Sequence, residues 1–175
     1  VLLTDGPAGN VVFETGDSTF NTLVVSAGGG IDILTDSLTL ATNEGAFTMD
    51  GDSNNQDDSG SGSDDQIDLA AGVTLTAATS LTLNSTTGSG GVGLDAAGAL
   101  TLNANAGSIT INDVFDSATG TVALNATGGV NINANFTAGG TTNFDTDTDD
   151  NGTSDLVVAD GVTVSSTNNA FNITA

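Results

Sequence analysis

Asp147, Asp149, Asn151 and Asp155 alternate around a glycine in "DTDDNGTSD", residues 147 to 155. Oxygen donors at the first, third, fifth and ninth places, with Gly152 at the sixth for a sharp turn, match the opening of a calcium loop. Carboxylates and amide carbonyls are the hard donors this cation takes. The bidentate Glu that closes an EF-hand is missing, because Val158 stands at the twelfth place. The pattern is therefore nearer to the loops of extracellular modules, which bind calcium with Kd on the order of 0.1 to 1 mM. A solvated turn, in which Asp and Asn cap backbone amides, is the competing reading.

An earlier stretch, "FTMDGDSNNQDDSGSGSDDQIDL" (47 to 69), repeats the theme more loosely. Asp50, Asp52 and Asn54 keep the first three ligand places, but no glycine stands at the sixth, and after Gln56 "DDSGSGSDD" follows as an acidic insertion. "GGVGLD" (90 to 95) matches one unit of a calcium-binding nonapeptide array, yet it occurs once and such arrays need tandem copies, so it reads as a glycine turn. Calcium is thus the cofactor these residues imply.

Other chemistry has little to work with. The chain has no Lys, Arg, His, Cys, Tyr or Trp. It lacks the usual general bases, thiolates and oxyanion-stabilising cations. Paired carboxylates could in principle cleave a polysaccharide, but no basic residue, Trp or Tyr is present to hold sugar. The expectation is a protein that is not an enzyme. A formal charge of −22 with no compensating cation excludes nucleic acid and anionic headgroups as partners. No apolar run reaches transmembrane length, so membrane insertion is not expected. Only Glu14 and Glu44 among the 22 acids are Glu. That bias towards Asp points to turns and cation-holding loops rather than to a generally acidic surface.

The elements that must carry these loops are short strands. Apolar-polar-apolar triplets recur: "IDI" at 31, "LTL" at 38, 81 and 100, "VTL" at 73, "ITI" at 109, "VAL" at 122 and "VNI" at 130. Period-two alternation places the flanking apolar residues on one face and the central residue on the other. The segments resemble one another and their connections are short, which favours a parallel β-solenoid whose coils of roughly 20 residues bury their apolar pairs against neighbouring coils. Leu81/Leu83, Leu100/Leu102, Ile109/Ile111, Val122/Leu124 and Val130/Ile132 are the expected inward stacks, with Thr82, Thr101, Thr110 and Asn131 as outward ladders. The expected fold is all-β, with residues 1–175 forming one solenoid domain or segment and Asp-rich loops at about 47–69 and 144–161. The two Asp-rich units align, Phe47 with Phe144 and Asp52 with Asp149, and so are expected at equivalent places on the coil. A β-sandwich completed by a neighbour's strand is the alternative fold.

"GALTLNANAGSITINDVFDSATGTVALNATGGVNINA" resembles the repeat arrays of filamentous-haemagglutinin-like and giant repeat-built bacterial surface proteins. The resemblance implies a β-helix serving as adhesin, stalk or secreted filament, located outside the cell or on its surface. The strand-like opening "VLLTDG" reads as that of a processed product or a segment of something longer. With the strand-like close "FNITA", it suggests self-association end to end, or contact with neighbouring repeats of a longer chain. Glycans or a host surface are further partners that the resemblance allows. An ice- or glycan-binding solenoid, using the outward Thr, is the rival function; a polysaccharide-degrading β-helix enzyme is a more distant one.

Overall fold

The computed structural model describes residues 1–4, 9–54, 65–85, 93–167 and 169–175. Successive coils each contribute three short strands. They run β1 (Leu2–Thr4), β2 (Val11–Phe13), β3 (Ser18–Phe20), then β4 (Leu23–Ala27), β5 (Ile31–Ile33), β6 (Thr39–Thr42). Next come β7 (Phe47–Asp50), β8 (Ile67–Leu69), β9 (Val73–Ala77), and β10 (Leu81–Asn84), β11 (Leu94–Ala96), β12 (Leu100–Ala104). β13 (Ile109–Ile111), β14 (Phe115–Ser117) and β15 (Val122–Ala126) precede β16 (Val130–Ile132), β17 (Phe136–Ala138) and β18 (Thr142–Asp145). The last coil is β19 (Leu156–Val158), β20 (Val164–Ser166) and β21 (Phe171–Thr174).

Among the described residues every third strand pairs in parallel, giving three sheets of seven strands around one apolar interior. Sheet 1 begins with β1, sheet 2 with β2 and sheet 3 with β3. The molecule is a parallel β-solenoid, and among the described residues there is no helix. Uniform parallel pairing from coil to coil sets aside the sandwich alternative, whose sheets are antiparallel.

The expected inward pairs are buried, each at 0–1% exposure. They form two stacks. Leu81/Leu83, Ile109/Ile111 and Val130/Ile132 lie in sheet 1, whereas Leu100/Leu102 and Val122/Leu124 lie in sheet 3. The coil is three-sided. Its third side, sheet 2, holds "IDI" and "IDL" (β5 and β8) and, in later coils, "FDS" and "FTA" (β14 and β17), whose text resembles turns. There Phe115 lies on Phe136, ring centroids 4.3 Å apart at 17°. Room for the two rings comes from their small inward neighbours Ser117 and Ala138. Phe136 then meets Phe144 edge to face at 5.4 Å, tying sheet 2 to sheet 3.

The Asp-rich units do not occupy equivalent places. The loop 51–66 leaves β7 of sheet 1 and enters β8 of sheet 2, whereas the loop 146–155 leaves β18 of sheet 3 and enters β19 of sheet 1. Their likeness is displaced by one side of the coil. All three sides need the same inward-apolar chemistry, so a sequence match cannot tell one side from the next.

Candidate functional site

The loop 146–155 folds around the carboxylate of Asp147, which is buried at 3% exposure. The Gly152 amide donates to its Oδ2 at 2.5 Å and the Asn151 amide to its Oδ1 at 3.2 Å. Its own carbonyl accepts from the Asp150 amide at 3.0 Å. These bonds close a turn in which Asp150 and Gly152 both take positive φ, 54° and 71°. The Gly152 amide, ahead of all other influences, holds the Asp147 carboxyl below the usual carboxylate range, with burial opposing it. Asn151 Nδ2 donates to Asp149 Oδ2 at 2.8 Å, and Asn151 Oδ1 accepts from the Thr153 amide at 3.0 Å.

Asp147, Asp149 and Asn151 are therefore brought together, as the spacing suggests. Asp155 is held differently: its carbonyl accepts from the Val130 amide at 3.0 Å, fastening it to the entry of sheet 1. Among the described residues no three Asp or Glu side chains converge closely enough to hold a metal ion. One acceptor that spacing did not suggest lies at the base of this loop. Asp145 Oδ1 is buried and has no hydrogen-bond partner, two positions before Asp147. The cause is a row on sheet 3. Asn125 donates to Asn103 at 2.9 Å and Asn103 to Thr76 at 3.1 Å, and Asp145 takes the next place in that row. A carboxylate has no proton to continue it. A cation would satisfy that oxygen, and each Asp147 oxygen keeps a lone pair beyond its amide bond. The loop thus offers oxygen acceptors at Asp145, Asp147, Asp149 and Asn151, although in this arrangement no three of its carboxylates converge.

At the other loop, Asp50 Oδ1 accepts from the Asp52 amide at 3.3 Å, and Asn54 Nδ2 donates to the Gly28 carbonyl at 3.4 Å. Asp52 is buried at 1% exposure. The end of the strand places these three residues at the neck of the insertion. Gln56 and most of "DDSGSGSDD" lie outside the described residues, as do residues 90–92 of "GGVGLD".

The outward rows are segregated by face. Thr48, Thr82, Thr110 and Asn131 succeed one another on sheet 1, while Thr101 stands over Thr74 on sheet 3. On sheet 2 the outward row is Asp32, Asp68, Asp95 and Asp116, four carboxylates in register on adjacent strands. Burial, and next the charge of Asp116, push the Asp95 carboxyl above its ordinary range. This acidic row is invisible in sequence, because its members are spaced unevenly by the insertions between them.

No protein-family model, curated protein or solved structure matches this chain.

Proposed function

We propose that the chain is a non-enzymatic structural element, a segment or subunit of an extracellular filament or of a cell-surface adhesin stalk. One observation carries this: both end layers of the solenoid present apolar side chains to solvent. Leu2, Leu3 and Val12 are 41–63% exposed at one end, and Val157, Val158, Phe171 and Ile173 are 37–53% exposed at the other. The register partners of Leu2, Val158, Phe171 and Ile173 one coil inward, Val25, Ile132, Thr142 and Phe144, are buried, whereas Leu3, Val12 and Val157 lie on the outward faces. An apolar end layer with unpaired strand edges offers a surface on which another copy of this solenoid would stack. The resemblance to repeat-built surface proteins agrees with that use. The absence of basic side chains disfavours catalysis.

Calcium belongs to the same proposal. It would neutralise acidic loops that otherwise repel neighbouring coils, and it would bind through Asp145, Asp147, Asp149 and Asn151. Asp50, Asp52 and Asn54 would form a second, weaker site.

The test is thermal unfolding followed by circular dichroism in calcium chloride, in chelator and in sodium chloride of matched ionic strength, with light scattering recorded in parallel. At a hundredfold excess over Kd, one site contributes about 2.7 kcal/mol. A calcium-specific rise in Tm, lost in Asp145→Asn and Asp147→Asn, is the expected result. Equal action by sodium chloride would reduce the loops to acidic turns. Scattering that stays at the monomer level at every protein concentration, with or without calcium, would remove the self-assembling form of the proposal.

A further inference from the structure

A different feature lies on the outer face of sheet 2. A cavity of about 260 Å3 opens there between two outward rows of side chains. One wall is the pair Asp68 and Asp95, Cα partners on adjacent strands. The other is the row two positions on, Leu34, Ala70 and Ala97. Ala70 donates its amide to the Ile33 carbonyl at 2.9 Å and Ala97 to the Leu69 carbonyl at 2.9 Å, which sets the three one above another. Leu34 projects, 60% exposed. Ala70 and Ala97 are too short to continue the ridge, so the hollow is the volume their missing side chains would fill. Gln66 borders it and donates its side-chain amide to Asp68.

We propose that this cavity receives one cationic side chain with an aliphatic stem, a lysine or arginine, presented by a partner protein. The stem would lie over the Ala70 and Ala97 methyl groups beside Leu34, and the charged head would sit between Asp68 and Asp95. Adjacent parallel strands are about 4.8 Å apart, a span that an ammonium or guanidinium group can bridge with charge-assisted hydrogen bonds. Charge complementarity identifies the occupant as foreign, since the chain has no lysine, arginine or histidine of its own. The cavity is smaller than the roughly 300–1,000 Å3 of drug-sized ligand sites, which suits a single side chain. A bare metal ion would make no use of the apolar wall. The mutual repulsion of the row, which raises the Asp95 carboxyl through Asp116 after the effect of burial, is relieved when a cation enters. The site stands whether or not the solenoid stacks into filaments.

The experiment titrates 15N-labelled protein with capped five-residue peptides of glycine carrying a central lysine, arginine or neutral norleucine, and separately with calcium chloride. The expected result is a saturable shift concentrated on the amides of Asp68, Ala70, Asp95 and Ala97, given by the two cationic peptides and not by norleucine. Ala97→Leu fills the cavity without altering charge and should weaken binding at least tenfold. Ala70→Leu provides a second filling variant at another coil, and Glu44→Gln, an exposed residue of the turn between β6 and β7, should bind as the parent does. Wild-type binding by folded Ala97→Leu and Ala70→Leu would overturn the site, as would shifts spread evenly over all acidic loops. So would calcium chloride reproducing the same pattern and abolishing the peptide's effect at equal charge concentration.

Discussion

Thr142 offers a sharp test of how the interior is packed. It faces inward on sheet 3, at the register position held by Val73, Leu100 and Val122 in preceding coils and by Phe171 in the following one. Its neighbours in that row are therefore apolar, it is 0% exposed, and its Oγ1 is buried without a hydrogen-bond partner. Leaving a buried hydroxyl unsatisfied costs about 1–3 kcal/mol. Thr142→Val keeps the β-branched shape and exchanges only that hydroxyl for a methyl group, so it should recover a similar amount. At about 2–4 °C per kcal/mol for a chain of this size, Tm should rise by several degrees. Urea unfolding is the assay, read as a higher midpoint at unchanged slope. Thr142→Ser is the control: it retains the hydroxyl, drops the methyl, and should lose about 1 kcal/mol. If Val proves neutral or destabilising, the hydroxyl has a partner in the folded protein, and the apolar account of this position is wrong.

Phe136→Ala removes the ring that stacks on Phe115 and meets Phe144, and should cost about 3–5 kcal/mol by the same urea assay. Gly140→Ala should cost at least about 1–3 kcal/mol, because an added Cβ would fall 1.7 Å from the Gly120 carbonyl oxygen and push two coils apart at a corner. Asp95→Asn should raise Tm at neutral pH. The parent's carboxyl is raised on folding, so its protonated form favours the native state fully below the unfolded value of 3.8, and that advantage is lost as pH rises through the folded value. The difference in Tm between variant and parent should accordingly shrink on acidification towards that value, which a melting series in pH would reveal.

Much of the architecture is legible in the residues themselves. Triplets such as "LTL" and "ITI" carry their inward and outward assignments by alternation alone, and their mutual likeness distinguishes stacked coils from a sandwich. The loop around Gly152 is legible too, because its Asp and Asn act on amides only a few residues away: Asp147 reaches Asn151 and Gly152. Less legible were "FDS" and "FTA", whose Asp and Thr face solvent, leaving two buried side chains in each to mark a strand. The likeness of the two Asp-rich units was real but assigned them to the same corner, when each leaves a different sheet.

Local chemistry was therefore set by sequence: an all-β chain, a solenoid, an aliphatic interior and an acidic turn able to offer oxygen to a cation. Which residues stack on which was decided only in three dimensions. Coil partners lie 21 residues apart where Asn131 meets Thr110, and 35 apart where Ala71 meets Asp36. Each inserted loop resets that distance without altering the alternation on either side. The Asp32–Asp68–Asp95–Asp116 row, the break in the asparagine ladder at Asp145 and the hollow above Ala70 and Ala97 all depend on this offset. They arise because a solenoid aligns strands by closing turns of unequal length around one core, so that contact follows the winding of the chain and not its spacing.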